Sequence, residues 1–415
     1  MIAISYRAMS LLAITLAIVI PLSNTATNVI GLLLLTLCLL STDRTVWRKI
    51  FTNEVVVAIL VFVAISFLRC TASFGKTPEI IQALRKTSRL LYLPLFLSLF
   101  VANLRSVYSD VQATDQSRLR HGVLLGLLMT IILTAIVGLV HVDGPVFKDT
   151  IFTSMFVAYG VFVAMHYAFE YQQYRLWFAG IALLLSYYLF FINTGRIGQV
   201  GLVVLIGIFL WQRFASKLKT ALFFGLGALC LAGILSLVPS SFVTRQTIGL
   251  RELADYMHTD DKGATSSSIG LRMIFAHNTW DLIKQRPVQG WGTGAFRAAF
   301  ATHATQLREV GRVDNPHNQY LLTWLELGLA GLLSLLYIFW TMLRQFFLAK
   351  NLFGYLGFGL VCLFMLGCTL NSWLLDFTSS FFFVFIVSCL LIVQTKHYKP
   401  SYLYASNTDG VGNNT

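Results

Sequence analysis

The chain has 415 residues, of which 56% are hydrophobic and only 12% are charged. Soluble domains carry about 25% charged residues, so this composition excludes a cytosolic enzyme, a secreted disulfide scaffold and a disordered chain. The 31 basic residues outnumber the 18 acidic ones and give a formal charge of +13, which a protein embedded in lipid must carry mainly in its loops. The sequence therefore predicts an all-α protein that crosses a membrane many times.

About twelve apolar runs are long enough to cross a bilayer, since a span needs about 20 mostly apolar residues. They lie at about 9–23, 28–42, 55–69, 90–104, 121–141, 151–169, 177–193, 197–214, 219–238, 319–341, 352–371 and 373–394. Residues 1–238 thus hold nine predicted spans and residues 319–394 hold three, while residues 395–415 are predicted to form a disordered tail. A signal peptide is the competing interpretation of the first run, but another apolar run follows at once.

The distribution of Lys and Arg predicts the orientation of these spans. With the N-terminus inside, the basic residues concentrate in the inner connections, so both termini are predicted to be cytoplasmic. The segment 69–89 violates the rule, because it is placed outside and carries Lys76, Arg85, Lys86 and Arg89. We expect this cluster either to bind phospholipid headgroups or to form a basic wall for an anionic substrate.

Residues 239–318 form the one long polar connection, and the orientation places it outside. A loop of about 80 residues on a membrane scaffold is where binding or catalysis is expected. The six cysteines lie mostly within apolar spans and show no CxxC or Cys/His spacing, so they predict neither a disulfide framework nor a metal site. The sequence predicts no cofactor.

Arg196 lies in a tight external turn between two apolar spans. A guanidinium at this depth is costly unless it is paired. It is expected either to reach lipid headgroups or to hold phosphate oxygens with its planar fork. Gly195 and Gly198 flank it and are expected to let a bulky ligand approach the backbone.

A second candidate arginine, Arg272, belongs to a predicted amphipathic helix at 270–283, whose apolar residues follow helical spacing. The hydroxyls of 266–268 offer caps, so Arg272 is predicted in the first turn, as an exposed side chain or an anion ligand. Pro287 is expected to end the helix. The glycines of 288–294 predict a connecting loop, although their amides could bind an anion.

His317 directly follows Pro316, which prepares the start of the tenth predicted span. The imidazole is therefore expected at the boundary between water and membrane. A neutral ring there can take a proton from a hydroxyl group. The alternative is a histidine that only caps the helix or hydrogen-bonds locally.

Two acids are predicted within or at the edge of the membrane. Glu326 follows His317 by nine residues, which is about 900° of helical rotation, so we expect it to face away from His317. Asp376 stands at the external start of the last span. Intramembrane acids are functional candidates, but they are equally expected as structural partners for Arg196 or the Arg85–Arg89 cluster.

The motifs over residues 194–331 form an ordered set. They are Thr194-Gly195-Arg196, Gly270-Leu271-Arg272, Arg286-Pro287 with Gly290, Gly292, Gly294 and Phe296, His317-Asn318 with Tyr320, and Glu326-Leu327-Gly328-Leu329 with Gly331. In this order they resemble the bacterial O-antigen ligase and O-antigen polymerase superfamily. The other spans are similar to that superfamily only in number and hydrophobicity.

The resemblance implies a bacterial inner-membrane glycosyltransferase of lipopolysaccharide biosynthesis, with about twelve transmembrane helices and a large, partly helical periplasmic loop at 239–318. The donor would be a glycan on undecaprenyl pyrophosphate and the acceptor a hydroxyl of lipid A–core, without metal or nucleic acid. By motif, Arg196 and Arg272 would hold the pyrophosphate and His317 would deprotonate the acceptor. Supporting roles would fall to Asp376, Arg89, Arg85, Tyr320 and Glu326.

The residue chemistry is compatible with this reaction and leaves alternatives. Two arginines can neutralise a leaving pyrophosphate, and direct displacement would invert the anomeric centre. The compact loop favours a ligase over a polymerase, and the short tail disfavours the protein oligosaccharyltransferase branch. A lipid-linked glycan flippase is the alternative from another class, but it would usually show repeated halves and charges in several spans.

Overall fold

The fold was determined as a computed structural model, which describes residues 6–101, 109–140, 150–214, 243, 247–252, 254, 268–303 and 313–392. Within these ranges every regular element is a helix. The helices are α1 (Tyr6–Val19), α2 (Asn24–Ser41), α3 (Arg44–Phe51), α4 (Glu54–Leu68), α5 (Thr77–Thr87), α6 (Tyr92–Val101), α7 (Ser109–Val140), α8 (Thr150–Glu170), α9 (Arg175–Tyr187), α10 (Arg196–Arg213), α11 (Ser268–Gln285), α12 (Phe296–His303), α13 (Gln319–Ala349), α14 (Leu352–Leu370) and α15 (Phe377–Leu390). The predicted all-α class is thus confirmed.

Seven of the described helical segments are long and apolar enough to cross a membrane. An eighth follows if α3 and α4, which are bent by 75° against each other, are taken as one broken span. Helices α1 and α15 are apolar but shorter, and the predicted span at 219–238 lies outside the described residues. The fold is therefore a multi-pass helical bundle, and the count of twelve spans stays a prediction.

Helix α15 forms the centre of the bundle, because its residues 378–390 are all buried. A helix that is apolar all round contacts either other helices or lipid, and the burial of these residues shows that other helices surround α15. At its C-terminal end the buried guanidinium of Arg120 donates hydrogen bonds to the carbonyls of Cys389 and Leu391. These carbonyls lack partners within the helix, and the helix dipole adds to the attraction. Arg120 therefore caps the C-terminal end of α15.

Helix α13 is kinked at Gly328, where the backbone has φ 70° and ψ −167°. The freed backbone groups bind the glycine loop, which we define as residues 286–295. Trp291 N–H donates to Leu325 O (2.7 Å), and Leu329 N–H donates to Pro287 O (3.1 Å). Backbone carbonyls also accept hydrogen bonds from the N–H groups of Gly290, Gly292, Thr293 and Ala295. The loop is therefore a structural connection, and these amides are not left for an anion.

Substituting Gly328 with alanine is expected to destabilise the protein by about 3 kcal/mol or more, through backbone strain and displacement of the glycine loop. The added Cβ would lie 2.1 Å from Val288 O, at a positive φ that side chains rarely adopt. Gly180→Ala is the matched control, because a Cβ there meets no atom within 4 Å. Thermal unfolding in detergent measures both, and equal midpoints would contradict the role of the kink.

Candidate functional site

His317 lies in the loop before α13 and has a positive φ of 53°, which is uncommon for a residue with a side chain. Its backbone N–H donates to Asn315 Oδ1 (2.8 Å), and Asn318 caps the helix that follows by accepting from Leu321 N–H (3.0 Å). The predicted position at the start of this helix is thus observed. Because His317 precedes the helix, however, helical rotation does not relate its direction to that of Glu326.

The imidazole of His317 is oriented by two side chains that come from other elements. Its Nδ1 lies 3.2 Å from Asn371 Oδ1, in the connection between α14 and α15. Phe275 of α11 stacks on the ring, with 6.2 Å between centroids and 23° between planes. Since an amide oxygen only accepts, Nδ1 carries the proton in the neutral ring and Nε2 is left as the basic nitrogen.

The pKa of His317 is lowered from its ordinary value of 6.5, primarily because the ring is half-buried. The positive charge of Arg272 lowers this pKa further, while the hydrogen bond with Asn371 opposes both effects. A ring with a lowered pKa is mostly neutral at pH 7. The loop therefore presents an imidazole in the form that accepts a proton, and the positive charge of Arg272 acts on it.

Replacing Asn371 with leucine is expected to lower the pKa of His317 still more, because the hydrogen bond that raises this pKa is lost while burial is retained. Peptide mass spectrometry after diethyl pyrocarbonate treatment, which modifies neutral imidazole, gives the titration midpoint of His317. Thr369→Val is the control, since its hydroxyl binds Leu366 O (2.7 Å) in the same region. An unchanged midpoint in Asn371→Leu would contradict the assigned hydrogen bond.

Arg196 is the first residue of α10 and follows a short π-helix at Tyr188–Ile192. The turn before it is braced internally, because Asn193 Oδ1 accepts from Gly195 N–H (2.7 Å). A Cβ on Gly198 would lie 2.2 Å from Ser154 O of α8. The expectation that these glycines admit a ligand is therefore wrong, since they admit the backbone of α8.

Glu252 connects the elements that carry the two candidate arginines. Its Oε2 lies 3.7 Å from Arg196 Nη1 and accepts a hydrogen bond from Ile269 N–H (3.2 Å) at the start of α11. Arg272 follows on the same helix as its fifth residue from Ser268, one residue beyond the first turn in which it was predicted. Sequence reasoning missed Glu252, because no motif surrounds it.

The basic segment 69–89 packs against the start of α15. Arg89 Nη1 donates to Leu375 O (3.1 Å), and its guanidinium lies 5.2 Å from the centre of the Phe377 ring. The negative charge of Asp376 also acts on Arg89. Asp376 itself caps α15 by accepting from the N–H groups of Thr378 and Ser379. Of the two structural partners expected for Asp376, the structure places it with the basic cluster, and Arg196 pairs with Glu252.

Glu326 and Tyr320 connect α13 with the neighbouring helices α12 and α14. Glu326 Oε1 accepts from Phe296 N–H (3.4 Å) at the start of α12, and a cavity of about 30 Å³ separates Glu326 from Lys86 of α5. Burial lowers the pKa of Lys86, and the adjacent charge of Arg89 lowers it further. Tyr320 donates to Met365 O (3.0 Å). Among the described contacts, neither Glu326 nor Tyr320 bonds to His317.

Comparison with known proteins is informative for one segment of the chain. A family model described as O-antigen ligase matches residues 179–336, which include Arg196, Arg272 and His317. A Haemophilus influenzae protein described as uncharacterized is 26% identical over 202 residues, which are 47% of this chain and 49% of that protein. The chain thus spans about half the length of this relative. The family match confirms the resemblance found in the motifs: residues 179–336 are similar to the O-antigen ligase family, which supports placing the chain in the O-antigen ligase and polymerase superfamily.

Proposed function

We propose that this protein is an O-antigen ligase that transfers a glycan from undecaprenyl pyrophosphate to a hydroxyl of lipid A–core. The observation that carries the proposal is the His317 imidazole, whose pKa is lowered and whose Nδ1 is hydrogen-bonded to Asn371. This base lies in the charge field of Arg272, within the segment that matches the O-antigen ligase family. A hydroxyl acceptor and an anionic leaving group need this combination of a base and cations.

In the proposed reaction, His317 Nε2 removes the proton of the acceptor hydroxyl as its oxygen attacks the anomeric carbon. The bond from that carbon to the pyrophosphate oxygen breaks, and the leaving group departs as undecaprenyl pyrophosphate. Arg196 and Arg272 neutralise its developing charge, so the proposal requires no metal. Attack from the face opposite the leaving group inverts the anomeric configuration.

Glu252 has a defined place in this proposal. Its carboxylate occupies one guanidinium nitrogen of Arg196 and holds the start of α11. The donor pyrophosphate, a diester with one negative charge on each phosphate, would compete with it for Arg196. We therefore assign Glu252 as a positioning residue, and Asp376 as a support for Arg89, with Arg85, Tyr320 and Glu326 outside the reacting centre.

The proposed topology places this site at the periplasmic face of the bacterial inner membrane. It comprises nine spans in 1–238, a large loop at 239–318, three spans in 319–394 and a cytoplasmic tail at 395–415, with both termini inside. The helix ends are consistent with it, because Arg196 begins α10, His317 precedes α13 and Asn371 follows α14. All three residues therefore belong to the same end of the bundle.

The test is a transfer assay with the purified protein in vesicles, supplied with undecaprenyl-pyrophosphate glycan and lipid A–core. Glycan-bearing lipid A–core as the product supports the ligase. Glycan chains that lengthen on the donor without lipid A–core would identify an O-antigen polymerase of the same superfamily. Movement of the donor between leaflets without any transfer would identify a flippase, and would overturn the enzyme proposal.

A further inference from the structure

A second groove opens at the end of the bundle opposite His317. It lies between the C-terminal end of α10, the C-terminal end of α13 and the start of α14, and its volume is about 410 Å³. Its lining includes Trp211, Arg213, Phe347, Lys350 and Phe358. Helix α10 has 18 residues, or about 27 Å at 1.5 Å per residue, so this groove is separate from the site around Arg196.

One wall of the groove is aromatic. Trp211 stacks on Phe347, with 5.9 Å between ring centroids and 13° between planes, and lies 5.5 Å from the Phe358 ring. Trp211 and Phe347 remain 43% and 51% exposed. Exposed aromatic rings at the ends of membrane-spanning helices lie at the level of lipid headgroups, so this wall is placed where headgroups meet acyl chains.

The other side of the groove carries two cations. Arg213 contacts His166 Nδ1 (3.1 Å) and Glu170 (3.8 Å), but its buried Nε has no hydrogen-bond partner within the described structure. Lys350 ends α13 in a left-handed conformation, with φ 46° and ψ 37°. It is exposed and makes no ion pair with any described carboxylate. Two cations therefore line the groove, and of these Arg213 is paired with Glu170.

We propose that this groove binds an anionic phospholipid. The phosphate diester would lie between Arg213 and Lys350, and an acyl chain would follow Trp211, Phe347 and Phe358. Basic pockets between transmembrane helices suit acidic headgroups, and the volume is within the range of small-molecule sites. A free anion would make no contact with the aromatic wall, and a neutral lipid would not neutralise the charges of Arg213 and Lys350. The inference does not depend on the proposed transfer reaction.

The test uses the full chain in nanodiscs of equal parts phosphatidylglycerol and phosphatidylcholine, with native mass spectrometry of the lipids that stay bound. The wild type is expected to retain phosphatidylglycerol preferentially. Lys350→Gln and Arg213→Gln are each expected to reduce that retention about fivefold. Arg344→Gln is the matched control, because Arg344 lies on α13 near the same end, pairs with Glu54 (2.6 Å) and does not line the groove. It is expected to retain the lipid like the wild type.

Lys350→Gln decides the test if Arg213→Gln unfolds, because Lys350 is exposed and its loss breaks no ion pair among the described residues. Equal retention of both lipids by the wild type would overturn the proposal, as would unchanged retention in Lys350→Gln. If inorganic phosphate raises the thermal midpoint as much as short-chain phosphatidylglycerol does, the groove binds a free anion and the lipid proposal is wrong. A dimer mass that Lys350→Gln abolishes would assign the groove to a second copy, also against the proposal.

Discussion

Glycan transfer is expected to fall by a factor of about 10² to 10⁴ when His317 is replaced, because a positioned general base contributes about that much to rate. The best substitution is His317→Asn. Asparagine tolerates the left-handed backbone better than most residues, and the φ of 53° at this position must be retained. Alanine would remove the ring but would also strain the turn before α13.

The control for this prediction is His303→Asn. His303 is the exposed last residue of α12, so its substitution changes a histidine of the same region without touching the described site. Thermal midpoints establish that both variants fold, and initial rates at saturating donor measure transfer. A folded His317→Asn protein with more than about a tenth of the wild-type rate would contradict the base role, and His317 would then be a residue of local structure.

The all-α class, the longer apolar helices and the positions of Arg196 and His317 at helix starts could be predicted from local sequence patterns. Apolar runs about 20 residues long mark spans because the bilayer sets their length, and Pro287 marks the end of α11. Arg196 and His317 were placed at helix starts by the turn residues beside them. These predictions depend only on residues adjacent in the chain, which is why one sequence sufficed.

The partners of these residues could not be predicted, because they lie far away in the chain. Asn371 is 54 residues from His317, and the only signal at that position was a polar residue between two apolar spans. Glu252 is 56 residues from Arg196, in a stretch without helical spacing or motif. Contacts of this kind depend on how the helices pack, and no local pattern specifies them.

The glycines of the loop at 286–295 show a different limit of prediction from local sequence. Their number and spacing predicted turns, and positive φ angles at Gly290, Gly292 and Gly294 agree with that. What local sequence did not give is the surface on which the turns dock. A Cβ on Gly290 would lie 2.5 Å from Gly328 N, and one on Gly292 would lie 2.2 Å from Ser73 Cα. These glycines are required by close packing between backbones, with Gly290 against the kink in α13 and Gly292 against Ser73.

Arg196→Gln and Arg272→Gln are each expected to slow the proposed transfer by about 10² to 10³. The two variants are expected to differ in the pH dependence of the rate. The charge of Arg272 lowers the pKa of His317. In Arg272→Gln this pKa therefore rises, the neutral base is lost at a higher pH, and the acidic limb of the rate profile moves upward. Arg196 is not among the groups that act on His317, so Arg196→Gln should leave the limb in place.

Rates of transfer measured between pH 5 and pH 9 separate these effects, with Arg272→Lys as the matched variant. Lysine keeps the positive charge and so the position of the acidic limb, but it lacks the fork that binds two phosphate oxygens, so the rate should stay low. A limb that moves in Arg272→Lys as far as in Arg272→Gln would mean that charge does not set the pKa of His317. Wild-type rates in Arg272→Lys would mean that Arg272 acts as a point charge and does not clamp the pyrophosphate.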